Sequence, residues 1–275
     1  MVSCRSFFII LAEPHFCRWI DLGDRAAEKP MVEPLSHSLS RMFHNISDSI
    51  EDAKDQLSAL DGAVGDGDHG VTMSIGFQAV KAELSRRDVD AMSPNDLMNT
   101  AAMAFLNAVG ASTGPLYATG LQRAAQALVG ATDATPASQA AILKGIVDGV
   151  RERGKGQRGD KTMLDALIPA AEAAASAIRR SANVEDMWRE IVAAAEAGAA
   201  STRSMVASKG RAARLGERSL GHVDPGATSA VIILKAMALT FCGSDPGIVK
   251  MTSERGGQRV RKSESASEVR EGLNG

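Results

Sequence analysis

The chain has 275 residues, with 31 Lys and Arg against 33 Asp and Glu, a formal net charge of -2 and only 4% aromatic residues. There is no basic field and no base-stacking surface, which excludes a nucleic-acid binder. The length suffices for one well-buried domain of roughly 200 residues plus flexible ends.

Cys4, Cys17 and Cys242 lie far apart. They form no disulfide framework and no zinc spacing, so a reducing cytoplasm is the expected home. FFIILA, residues 7–12, is the most hydrophobic run near the start. It is too short for a membrane span, which needs about 20 apolar residues. Arg5 before it suits a signal peptide, but Glu13, Pro14 and His15 follow without a small-residue cleavage pattern. A second reading starts translation at Met31. Residues 1–33 are read as an N-terminal extension outside the fold, 34–243 as a helical domain and 244–275 as a disordered polar tail. Arg259, Arg261 and Lys262 in that tail are read as solvated.

From Ser36, Leu39, Met42, Phe43, Ile46, Ile50, Ala53, Leu57 and Leu60 fall at steps of three and four, the spacing of one helix face. This first helix stops at Gly62 and Gly65. Seven more are expected near 70–86, 94–109, 114–129, 137–153, 162–180, 184–206 and 226–241, each bounded by Gly, Pro or a capping residue. Nothing alternates with period two; Val231 to Leu234 suits a strand by composition but lies in a longer apolar run. Alanine-rich faces let helices pack closely. The expected fold is all-α, an antiparallel bundle of eight helices.

The chemistry concentrates in LDGAVGDGDHGVTMSIGF, residues 60–77, with Asp61, Asp66, Asp68 and five glycines. Glycines let the loop fold tightly enough for the carboxylates to converge, and converged carboxylates call for a cation. A calcium EF-hand fails, because counting from Asp66 places Gly70 at position five and Phe77 at position twelve. Magnesium, which takes one or two carboxylates and substrate phosphates, fits better, and three aspartates suffice for two ions. His69, Gly70, Val71 and Thr72 open a helix whose free N–H groups suit phosphate. The alternative is a polar loop with aspartate caps.

Three further stretches are weaker alone. GASTGPLYATG, residues 110–120, is a second phosphate-compatible turn or a capped helix start, and it lacks the GK[ST] of a P-loop. GDKTMLDAL, residues 159–167, reads as an N-cap in which Asp160 or Thr162 serves the free N–H groups, with Lys161 able to reach a phosphate. The loop 208–229 carries Lys209, Arg211, Arg214, Arg218 and His222, whose arginines suit a phosphate clamp or a solvated basic loop.

Taken in this order, DGDHG, GPL, GDKTM and GERS-GH-DPGATS resemble the nucleotide-binding L subunit of dihydroxyacetone kinases over about residues 36–241. The resemblance implies an eight-helix barrel-like bundle with a nucleotide site at one end. It implies that Asp61, Asp66 and Asp68 hold two Mg²⁺ ions on the phosphates of ADP or ATP, and that His69 to Thr72 meet those phosphates. Ser112 and Thr113 match the second phosphate-side turn; Gly154, Met163, Arg211, Asp224, Pro225 and Gly226 match positions around the nucleotide. Thr72 stands where the family often has asparagine, and Ser112-Thr113 replaces the commoner Ala-Ser. The nucleotide domain of fatty acid kinases usually has threonine in place of His69.

The implied activity is phosphoryl transfer to dihydroxyacetone held covalently by a separate K subunit, for which the chain has no spare segment. No side chain of this chain has a covalent role. The phosphoryl source, ATP or an ADP recharged by a phosphotransferase-system protein, stays open, as do another short ketose such as erythrulose and a homodimer. Other readings are an ADP-carrying subunit acting on a transcription regulator and a helical Ca²⁺-binding or scaffold protein.

Overall fold

The computed structural model describes residues 33–110 and 112–243. Apart from Glu33, the expected N-terminal extension lies outside them, as does the polar tail. The described residues form nine α-helices: α1 (Leu35–Asp52), α2 (Lys54–Gly62), α3 (His69–Leu84), α4 (Pro94–Ala108), α5 (Thr113–Ala127), α6 (Pro136–Gly154), α7 (Leu164–Arg179), α8 (Val184–Ser201) and α9 (Pro225–Cys242). Short 3₁₀ turns occupy Val89–Ala91, Thr202–Ser204 and Ala212–Ser219, the last broken at Gly216.

Their packing order is a closed ring. α1 lies on α3, each helix from α3 to α9 lies on the next, and α9 returns to α1. Neighbours run antiparallel, so α3, α5, α7 and α9 all begin at one end. α1 buries Leu35, Leu39, Met42, Phe43, Ile46 and Ile50, the stripe that the spacing predicts. Phe77 meets Phe105 edge-on with ring centres 5.1 Å apart, and Tyr117 lies against both. Fully buried Trp188 donates its indole N–H to Gln139 at 2.6 Å and stacks on Phe241. Apolar α9 is long enough to cross a membrane, but 61% of it is buried as one stave of the ring.

The first predicted helix divides in two. Ala53, with φ -95° and ψ 1°, breaks the regular path between α1 and α2. α2 then lies along α3, where Gly70 meets the Lys54 carbonyl so closely that a Cβ has no room. The predicted helix 184–206 ends as a helix at Ser201, because the Thr202 hydroxyl donates to the Ala199 carbonyl and the chain tightens into a 3₁₀ turn.

α7 contains Pro169. Proline has no N–H, so the Asp165 carbonyl loses its helical partner. That carbonyl instead faces Gly198 of α8, where a Cβ would collide with it. A missing hydrogen bond on one helix thus meets a missing side chain on the next, and the two approach closely.

Candidate nucleotide and metal site

Most helices that start at the far end of the ring are capped by their N-cap residue, although α1, which follows Pro34, is not. At the far end, Ser93, Thr135 and Asn183 cap α4, α6 and α8, accepting N–H groups from Asp96 at 3.1 Å, Ser138 at 3.1 Å and Asp186 at 2.7 Å. At the near end, the N-cap residues of α3, α5 and α7, namely Asp68, Ser112 and Met163, make no side-chain cap. α9 is capped by its own N-cap residue, Asp224, which accepts the Ala227 N–H at 2.7 Å, whereas the first N–H groups of α3 and α7 go to Asp61 and Thr162. The first residues of these four helices, His69, Thr113, Leu164 and Pro225, all line one cavity of about 430 Å³. Converging N-termini give that cavity N–H donors and a positive local potential.

The acidic loop forms its rim. One carboxylate oxygen each of Asp61, Asp66 and Asp68 lies within 4.8 Å of the others. The loop aspartates do not act as simple caps: Asp68 stands at the start of α3 yet caps nothing, while Asp61 Oδ2 takes the His69 N–H at a long 3.3 Å. Burial pushes the Asp68 carboxyl above its ordinary pKa, and the Asp61 charge adds to this. The Arg211 guanidinium bridges the cluster. It pairs with Asp66 and donates to Asp68 Oδ2 at 3.0 and 3.1 Å. Clustered hard oxygens that already draw a cation, and that stay about half-exposed, suit a hard divalent ion such as Mg²⁺.

His69 holds the cluster against α9. The Ser229 hydroxyl donates to the Gly226 carbonyl at 3.0 Å and so accepts from His69 Nε2 at 2.9 Å. Burial holds the imidazole below its ordinary pKa, against the opposing pull of the Asp61 charge. Asp224 is buried beneath the same floor. Burial pushes its carboxyl up to about 7, with the Ala227 N–H opposing.

Of the residues singled out from sequence, Asp61, Asp68, His69, Ser112, Thr113, Gly154, Met163, Arg211, Asp224, Pro225 and Gly226 line the cavity together. Asp66 joins through the carboxylate cluster. Gly70, Val71 and Thr72 do not line it. Gly70 is buried against α2, Val71 is exposed, and the Thr72 N–H is taken by the Asp68 carbonyl at 2.9 Å.

Lys161 is the clearest departure. Lys161 lines the cavity, but its ammonium is turned away from it, its three N–H donors shared among the carbonyls of Thr202, Met205, Ser219 and His222 at 2.6–3.2 Å. Thr162 serves the start of α7, its hydroxyl accepting the Leu164 N–H at 3.2 Å, while Asp160 accepts the Gln157 N–H at 2.8 Å in the turn before it. Asp165 accepts the N–H groups of Gly159 at 2.5 Å and Thr162 at 2.8 Å. Sequence reading missed the cavity's apolar wall of Val64, Pro115, Leu116, Val150 and Leu164, and the cationic Arg153. Apolar residues at helix ends carry no signal that separates a cavity wall from a core. The site thus sets an apolar wall opposite carboxylates, cations and N–H groups, which suits a ligand with a flat apolar part and a polyanionic part.

The family described as the DAK2 domain matches residues 63–239. The ADP-binding subunit DhaL of PEP-dependent dihydroxyacetone kinase 2 from Listeria innocua serovar 6a is 36% identical over 192 residues, 68% of this chain and 87% of that protein. The ADP-binding subunit DhaL of the PEP-dependent dihydroxyacetone kinase of Escherichia coli K12 is 36% identical over 195 residues, 70% of this chain and 90% of that protein. The dihydroxyacetone kinase of C. freundii in complex with AMP-PNP and Mg²⁺ shares the fold, with a TM-score of 0.56 and 24% identity. The match covers 83% of this chain but only 38% of that one. The match across residues 63–239, with relatives alike over most of their own length, shows that the chain belongs to the DAK2 domain family.

Proposed function

We propose that the chain is the nucleotide-binding subunit of a dihydroxyacetone kinase, carrying ADP as a resident cofactor. The observation that carries the reading is the cavity where four helices begin, beside a carboxylate cluster. The relatives named as ADP-binding subunits of PEP-dependent kinases support both the nucleotide and its recharging from PEP. Their naming as subunits supports a separate partner that holds the ketose.

Asp61, Asp66 and Asp68 would hold Mg²⁺, two ions by carboxylate count, which when bound offsets phosphate charge. The chain's own groups do the rest. N–H groups at the start of α5 bind phosphate oxygens, with the Ser112 and Thr113 hydroxyls beside them, and His69 at the start of α3 lines the same mouth. Arg211 and Lys209 add positive charge from the 209–212 arm. Leu116, Val150, Met163 and Leu164 give the base an apolar bed and exclude water. No side chain forms a bond to the phosphoryl group; catalysis is by positioning and electrostatics.

The test is to dialyse the purified protein in Mg²⁺, denature it and identify released nucleotide by chromatography, with D66A alongside. About one ADP per chain from the wild type and none from D66A is expected. A wild type that takes up neither ADP nor ATP overturns the reading. Reversible uptake of ATP in place of retained ADP would overturn the resident-cofactor part and leave an ATP-dependent subunit.

A further inference from the structure

Residues 203–222 form an arm that leaves the end of α8 and returns before α9, with Lys209, Gly210, Arg211 and Ala212 lining the cavity at its tip. The arm has almost no apolar anchor: of residues 203–222 only Ala207 and Ser219 are buried, and Val206 and Leu220 are exposed. Its two strands are tied to each other, Gly221 N–H to the Arg203 carbonyl at 2.8 Å and Ala207 N–H to the Ser219 hydroxyl at 2.9 Å. What ties it to the body of the ring is polar. Ser208 donates its hydroxyl to Asp160 Oδ1 at 2.7 Å and its N–H to the Asp160 carbonyl at 3.2 Å. The next residue, Lys161, inserts its ammonium between the strands.

That ammonium reaches Thr202 at 2.8 Å and Met205 at 3.2 Å on the outgoing side, and Ser219 at 2.7 Å and His222 at 2.6 Å on the return. Lys161 is 1% exposed and sits at φ 60°, a left-handed backbone that a non-glycine residue adopts only when its surroundings hold it there. Four carbonyl dipoles, one at the negative end of α8, offset the cost of burying the charge. A guanidinium, planar and larger, does not fit a compact cage around three tetrahedral donors.

We propose that Lys161 is a positioning residue: its buried ammonium fixes the 203–222 arm so that Lys209 and Arg211 stand over the acidic cluster. Although Lys161 lines the cavity, its ammonium is spent on the arm carbonyls, so it acts through the arm and not by touching ligand. The affinity part of this proposal rests on the nucleotide reading above; the arm part does not.

The test is amide hydrogen exchange and Mg²⁺·ADP titration on the full chain, wild type against K161M. In K161M, exchange should rise across 203–222 while α1, α4 and α5 keep their protection. ADP affinity should fall by roughly tenfold, the scale of losing one charge-assisted hydrogen bond to the ligand. Unchanged exchange in the arm overturns the proposal, and so does a uniform rise over all helices, which would mark a fold-wide role. Weaker affinity with an unchanged arm would mean direct ligand contact and also overturns it. A wild type without ADP affinity sinks the nucleotide reading, and the exchange arm still decides the role of Lys161. Should K161M fail to fold, ¹⁵N-lysine NMR of the wild type decides. A slowly exchanging Lys161 ammonium is expected, and a freely exchanging one overturns the proposal.

Discussion

Asp66, Asp68 and Lys161 show what a single side chain reveals in sequence and what it conceals. Asp66 and Asp68 are readable because carboxylates and glycines alternate within one short loop, so local chemistry is enough. Lys161 was not, because its four partners lie 41 to 61 residues downstream and nothing local names them. Beside a helix start, a lysine suggests phosphate; here the fold encloses it. Asp224 carries a testable electrostatic consequence. Its folded pKa, about 7, lies above the ordinary 3.8. The native state therefore binds the proton more tightly, and this stabilisation is full below about pH 3.8 and is lost as pH rises through about 7. D224N stays neutral and still accepts the Ala227 N–H. In chelator and without nucleotide, denaturant stability of the wild type relative to D224N should fall between about pH 4 and about pH 7 and level off above. A constant difference across that range would refute the assignment.

At the level of elements, periodicity located almost every helix, since each buries a stripe of three-and-four spacing. It did not locate the break at Ala53, because both halves of that segment keep an apolar face and only the position of α3 demands the bend. Pro169 and Gly198 are similar. Each looks like a local weakness in its own helix, and their complementarity exists only once α7 and α8 are packed. G198A places a methyl group against the Asp165 backbone carbonyl, which has no flexible end to yield. The expected loss is about 1–3 kcal/mol, read as a lower denaturant midpoint with an unchanged slope. A midpoint at or above the wild type would show that the two helices have slack there.

For the whole molecule, an all-α bundle with its site at one end was legible because helix starts and motifs fell together in the chain. The closing contact, α9 on α1, followed only from the resemblance to a barrel-like bundle, since no pattern of spacing says which outer helices meet. The antiparallel ring also governs how a ligand arrives. Because adjacent helices point opposite ways, their dipoles cancel beyond a helix spacing, and the formal charge of the chain is only -2. Attraction for a nucleotide polyanion is confined to the mouth of the cavity, within about one Debye length, roughly 10 Å at 0.1 M salt. A nucleotide is not drawn in from afar; it is held once it has arrived. In stopped-flow experiments the association rate should therefore vary little with ionic strength, with the salt dependence of affinity appearing in the dissociation rate. A steeply salt-dependent association rate would mean that the ring presents a long-range field after all.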